Sequence, residues 1–375
     1  MAAILLYSKS RKCFAAMVAL SLALALSGNA QNYGLETAEP IGGYLDGVFP
    51  TTTPGPSGAW ALVDAFPNIS FVDPVRVAIE PDNDDNLYVV CRNGEIWKMP
   101  DDPTATTAER TRFLDRRSTT WGYWDAGMMS LSFHPEFGQA GSPNRGYCYV
   151  YYQYSPSPNN SSENNPSYMR FSRFTVPDGS DQVDSNSELV MIQQFDRHNW
   201  HGGGQSFFGA DGFLYVIFGD EGNANDSYEV AQKIDDRIFS GILRIDVDQD
   251  PARSHPIRRQ PQEISSRPGG WPASFTQGYY IPNDNPWQDP SGGTLEEFWT
   301  IGLRSPYSMH YDKGSGNIWV AEVGQGAREE VTIAHQGGNH QWPFKEGAIN
   351  GPKPIPSPLI GIENPPIYDY PRSDG

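Results

Sequence analysis

One local pattern recurs along this chain and limits what it can fold into. A turn led by Gly or Asn is followed by a short run of alternating apolar or aromatic residues, then by a polar break. It occurs at 86–90, 146–152, 212–216 and 316–320. A two-residue side-chain period bounded by Gly and Asp belongs to antiparallel β-strands. The equivalent aromatics, Tyr88, Tyr149, Tyr215 and Trp319, stand 61, 66 and 104 residues apart. That spacing is too uneven for a short solenoid repeat. It fits small sheets carrying long insertions. The widest gap holds a Pro-rich, charged stretch, 251–290, read as one such insertion. The polar segment 155–168, SPSPNNSSENNPSY, reads as an exposed loop. A short helix is expected at 228–238, and no longer amphipathic helix is evident.

Composition agrees with this reading. The chain holds 38 Gly and 32 Pro and is 13% aromatic, which suits many strands and turns and is too aromatic for a disordered chain. A net charge of −18 argues against a nucleic-acid partner, which needs basic patches. It leaves carboxylates available for a hard cation such as Ca²⁺.

Residues 1–30 read as a secretory signal. Lys9, Arg11 and Lys12 precede an apolar run, 13–26, of 14 residues. That is shorter than the ~20 residues a membrane span requires. Small residues end the segment at Ala30, so cleavage is expected there, with Gln31 first in the mature protein; the alternative is an uncleaved anchor. No later stretch is a candidate membrane span. The expected location is periplasmic or secreted. Cleavage leaves Cys91 and Cys148, either a disulfide or two buried free thiols.

The segment 198–220, HNWHGGGQSFFGADGFLYVIFGD, concentrates the chemistry. His201 opens a three-glycine run, and the following strand ends at Asp220 and Glu221. Glycines let a ligand approach the main chain, and a histidine takes up a proton near neutral pH. Asp220 and Glu221, after the 213–218 strand, are candidate site carboxylates or else only terminate the strand. His198, His255, His310 and His335 lack the short spacings of a zinc site. No P-loop, dinucleotide fingerprint or GxSxG motif is present.

This segment resembles the HNGGxLxFGPDGxLYxxxGD signature of the glucose/sorbosone dehydrogenase family. Five further segments resemble family motifs in the same order: GMMSLSFHPEF at 127–137, GILRIDVD at 241–248, IPNDNP at 281–286, GLRSP at 302–306 and GNHQWP at 338–343. The resemblance implies an all-β, six-bladed β-propeller over 66–375, preceded by a lead-in at 31–65. The segment 368–375 is similar to the one that precedes the family's last blades, so the chain is expected to lack the C-terminal blade or blades. The implied function is an exported quinoprotein dehydrogenase. It would use pyrroloquinoline quinone (PQQ) with Ca²⁺, oxidise an aldose or related hydroxyl substrate, and pass electrons to an acceptor.

By resemblance His201 is the general base, and Glu322, before a Gly-rich turn, is the metal ligand or else a strand-end carboxylate bonded to the turn's amides. Asp125, Asn223 and Arg304 fall at cofactor positions, and Arg304 is alternatively a buried Arg bonding loop carbonyls. Asp125 stands where a Gln is common, and Asn223 where the glucose dehydrogenases place an Arg. His340 replaces a Tyr, and His134 matches a structural position. The alternative is a non-catalytic extracellular binding propeller, like the hedgehog-interacting branch of the family.

Overall fold

The computed structural model describes residues 63–122, 124–158 and 165–374. The expected signal segment and most of the lead-in lie outside them. The first sheet is a meander of β1 (Pro74–Glu80), β2 (Asn83–Cys91), β3 (Glu95–Pro100) and β4 (Thr111–Asp115). The second holds β5 (Met128–Phe133), β6 (Tyr147–Tyr154), β7 (Ser167–Thr175) and β8 (Asp184–Asp196). The third begins with β9 (Gly203–Phe208), β10 (Leu214–Phe218) and β11 (Gly241–Ile245). The expected insertion follows, carrying β12 (Ser254–Pro256), β13 (Phe275–Thr276) and β14 (Tyr280–Pro282), before β15 (Phe298–Ile301) completes the four. The fourth sheet holds β16 (Pro306–Tyr311), β17 (Ile318–Glu322), β18 (Arg328–Ala334) and the strand Tyr368–Pro371.

The first strands of the four sheets, β1, β5, β9 and β16, line a common cavity of about 860 Å³. Polar side chains link them across it. Ser130 and Ser132 of β5 meet the Ser206 hydroxyl, and Gln205 accepts from Ser308 and Met309 of β16. This is the arrangement of propeller blades around a channel.

The runs in the second and third sheets are apolar on both faces because these sheets are packed on both faces. In β6, Tyr149 and Tyr151 point to the third sheet, where they join Leu214, Val216 and Phe218. Cys148, Val150 and Tyr152 point to the first sheet, among Tyr88, Ile96 and Phe113. Phe213, Tyr215 and Ile217 fill the seam between the third and fourth sheets with Met309 and Val320. Burying each such side chain contributes about 1.5–3 kcal/mol.

The same alternation settles the cysteines. Cys148 lies in the seam between the first two sheets, while Cys91 packs on the other face of the first sheet with Phe66 and Phe71. Both are buried free thiols. Burial pushes the Cys91 thiol up to about 12.

Two expectations need correction. Residues 228–238 form turns, and the one helical turn nearby is a 3₁₀ turn at Ala224–Asp226. Asp226 Oδ1 accepts from Val230 N and Ala231 N, capturing donors that a helix would use. The loop read at 155–168 is also shorter than expected, because Ser167 and Tyr168 are fully buried at the start of β7.

The insertion also ties two sheets together. β13 pairs with β8, matching Phe275 with Gln193, and so adds a fifth strand to the second sheet from the third sheet's connection. Gln277 N donates to Met191 O at 2.8 Å, and Tyr168 Oη donates to Pro272 O at 2.5 Å.

Candidate functional site

Antiparallel order decides which residues can meet. In each sheet the connection after the second strand and the one leading into the next sheet emerge at the same end. Asp125 precedes β5, His201 precedes β9 and Arg304 precedes β16. Asp220 and Asn223 follow β10, and Glu322 ends β17. All six residues therefore lie at one end of the sheets.

His201 is held from three sides. Its backbone takes a left-handed φ of 55°, a conformation that non-glycine residues seldom adopt. Asp125 Oδ2 accepts from its N–H at 2.9 Å. The structure thus gives Asp125, expected at the cofactor, the task of fixing the His201 main chain. On the other side Gly219 must be glycine. A Cβ there would sit 1.6 Å from His201 O and 2.9 Å from Arg304 O.

The imidazole is anchored by Asp220. His201 Nδ1 lies 2.6 Å from Asp220 Oδ1, and Trp342 Nε1 donates to Asp220 Oδ2 at 2.7 Å. Gly222 N donates to Oδ1 at 3.1 Å. With Nδ1 as donor to the carboxylate, Nε2 becomes the basic nitrogen of neutral imidazole. His201 is 8% exposed.

Trp342 was not apparent as a site residue from sequence, being 122 positions from Asp220. It arrives because β19 (Gly338–Asn339) pairs in parallel with β15 and Trp342 N donates to Gly302 O.

Asp220 N donates to Arg304 O at 2.8 Å, which joins the base to a second cluster. Glu322 Oε1 accepts from the N–H groups of Arg304 and Ser305. Arg304 Nη1 donates to Val323 O and Gly324 O at 2.9 and 2.8 Å. A cavity of about 10 Å³, lined by Arg304, Glu322, Glu330, His340 and Glu346, separates these groups. That is room for one water-sized group. Three lining atoms are buried without a hydrogen-bond partner: Arg304 Nε, Glu322 Oε2 and His340 Nε2.

Burial pushes the Glu322 carboxyl well above its ordinary range, with the Glu330 charge adding to the effect. Burial also raises Glu330 to about 7 and lowers His340 to about 3, so this imidazole stays neutral. Glu346 behaves differently: against the raising effect of burial, three N–H donors, from Gly326, Ala327 and Arg328, lower it.

The remaining residues play local parts. Asn223 is half-buried at φ 84°, and its side chain accepts from Ala224 N. Glu221 is fully buried and bonded by Arg197 Nε at 2.6 Å. His198 Nε2 meets Tyr228 Oη at 2.8 Å. His134 is buried against Asp248 at 3.1 Å, far along the chain from these loops. Among the described residues no three His, Cys, Asp or Glu side chains converge as a metal site. No helix among them is long and apolar enough to cross a membrane.

The sequence description Glucose / Sorbosone dehydrogenase matches residues 71–271 and 258–356. The chain belongs to the glucose/sorbosone dehydrogenase family. It is 28% identical over 303 residues to the HIPL2 protein of Arabidopsis thaliana, covering 73% of this chain and 41% of that protein. The chain thus spans less than half of that relative. Against the aldose sugar dehydrogenase YliI of Escherichia coli it is 23% identical over 312 residues, covering 80% of this chain and 69% of that protein. The PQQ-bound aldose sugar dehydrogenase from Streptomyces coelicolor shares the fold. Its TM-score is 0.52 at 18% identity, over 80% of this chain and 69% of that one. The fold is therefore that of the family's all-β propellers.

Proposed function

We propose that this chain carries the site of an exported PQQ-dependent dehydrogenase that oxidises a hydroxyl of an aldose or related sugar. The observation that carries the reading is the His201–Asp220 pair, a buried carboxylate fixing an imidazole at the end of the sheets where the other expected site residues lie. His201 Nε2 receives the substrate's hydroxyl proton. Asp220 holds the ring's orientation and tautomer and stabilises the imidazolium that forms. Trp342 and Gly222 hold Asp220 in turn. When bound, PQQ supplies the two-electron acceptor for the hydride leaving the same carbon, with Ca²⁺ polarising its oxygens.

Fit to these groups rests on the orphaned atoms. Arg304 Nε is a buried donor suited to a cofactor carboxylate, and Glu322 Oε2 is a buried acceptor suited to the cation. Asn223 lies in the loop that continues from Asp220, at a position the resemblance assigns to the cofactor. The electrons then pass to a separate acceptor. Export follows from residues 1–30, and N-terminal sequencing of exported protein should begin at Gln31; an intact Met1 in soluble cytoplasmic product refutes it.

One observation favours the second reading, a non-catalytic binding propeller. Arg304 Nη1 already donates to two carbonyls of this chain, Val323 O and Gly324 O. PQQ titration of the full chain with Ca²⁺, followed by aldose-dependent dye reduction, separates the two. His201→Ala should lower the rate ~10²–10⁴-fold and leave PQQ uptake intact. No PQQ uptake by the wild type overturns the enzyme reading and leaves the binder.

A further inference from the structure

A second set of orphaned groups lies apart from the Glu322 cavity, in the seam between the second and third sheets. Gln153, Ser167 and Asp196 are each 0% exposed. Gln153 Oε1 and Nε2, Ser167 Oγ and Asp196 Oδ2 have no hydrogen-bond partner. Most buried polar side-chain atoms in native interiors are hydrogen-bonded, so four unpaired atoms on three neighbouring residues call for a partner.

Register puts the three side chains together. Ser167 pairs directly with Asp196 across β7 and β8, and Gln153 pairs with Met169, two residues along β7 from Ser167. Directly paired residues hold their Cβ atoms about 4.5–5.5 Å apart, and diagonal neighbours about 7–8 Å. All three point to the face that Tyr151 shares, which is the face turned to the third sheet. The loop carrying His201 covers them. Tyr151 Oη donates to Gly202 O at 2.8 Å, and a Cβ on Gly202 would lie 3.1 Å from Gln153 Cδ. Asp196 Oδ1 accepts from His198 N at 2.9 Å, at the start of the same loop.

The charge around these groups is negative. Asp125, Asp196, Asp220 and Glu221 surround the loop 197–202. Among the described residues the one permanent cation bonded to any of them is Arg197, on Glu221. A buried carboxylate needs a counter-charge or a proton. A water could donate to two of these oxygens but would leave the charge uncompensated. A hard cation accepts carboxylate, amide carbonyl and hydroxyl oxygens together.

We propose that Asp196 Oδ2, Gln153 Oε1 and Ser167 Oγ are ligands of a hard metal cation of the alkaline-earth or alkali class, bound in this seam beneath the His201 loop. The ion ties the loop to the second sheet and so sets the position from which His201 works. The site is independent of Glu322 and of any cofactor.

The test is thermal unfolding of the full chain after chelation and exchange into choline chloride buffer, then with millimolar CaCl₂ or with NaCl in place of choline. Either ion should raise the wild-type Tm by on the order of 2–4 °C. Asp196→Asn keeps the Oδ1 contact and removes the charge. It should raise Tm in ion-free buffer and abolish the ion response. Gln153→Met should weaken the response, and Glu322→Gln should keep it. A wild type indifferent to both ions, or an Asp196→Asn variant that responds in full, overturns the proposal. Loss of the response in Glu322→Gln with retention in Asp196→Asn overturns it too, and assigns the ion to the Glu322 cavity.

Discussion

Asp220 and Glu322 hold equivalent places, just after or at the end of the second strand of neighbouring sheets, and both are buried. Asp220 uses both oxygens, on His201, Trp342 and Gly222. Glu322 uses one oxygen on two backbone N–H groups and leaves the other without a partner. The first arrangement is complete within the protein and can orient a base. The second is complete only with something added. The contrast separates the part of the site that this chain builds alone from the part that waits for a ligand.

Removing Asp220 is the strongest way to break the comparison. Asp220→Ala leaves two buried donors, His201 Nδ1 and Trp342 Nε1, without an acceptor. The expected cost is about 3–5 kcal/mol in urea unfolding, with loss of any His201-dependent activity. If the variant is as stable as wild type, the carboxylate is not the keystone described here.

Glu322→Gln sharpens the comparison with a smaller effect of opposite sign. Glutamine keeps the Oε1 acceptor and removes the charge. Because the folded carboxyl is raised above its ordinary 4.5, the folded state holds its proton more tightly than the unfolded chain. That contribution is present below pH 4.5 and lost as pH rises above it. In metal-free buffer the variant should therefore gain ~1–2 kcal/mol at pH 8 and almost nothing at pH 4. Denaturant midpoints at the two pH values check this. A variant that is less stable at pH 8 would show that Glu322 is already paired.

Much of the fold was legible because alternation is a local signal. Tyr149, Tyr151 and Phe218 declare buried strands wherever they stand, and Gly-Asp turns mark the ends. His201 was legible through its glycines. Its support was not. Asp125, Asp220 and Trp342 reach the site along different connections, and only strand register brings them to one end. The role of Asp125 could not be read from its type, since an acidic residue serves a ligand or a backbone N–H equally well. The helix expected at 228–238 failed because Asp226 competes for its backbone donors, an effect that apolar periodicity does not report. Nothing in the spacing of Cys91 and Cys148 reveals that they face opposite sides of one sheet.

The strap formed by β13 has a consequence for how the molecule comes apart. Neighbouring propeller sheets are usually held by side-chain packing alone, which can slide or gap. Here the second and third sheets are also stitched by backbone bonds, through Phe275 and Thr276 to β8 and through Gln277 to Met191. Opening that seam requires breaking a ladder, so the two sheets form one cooperative unfolding unit. His201 rides on the connection between them, and its loop inherits the rigidity of the pair.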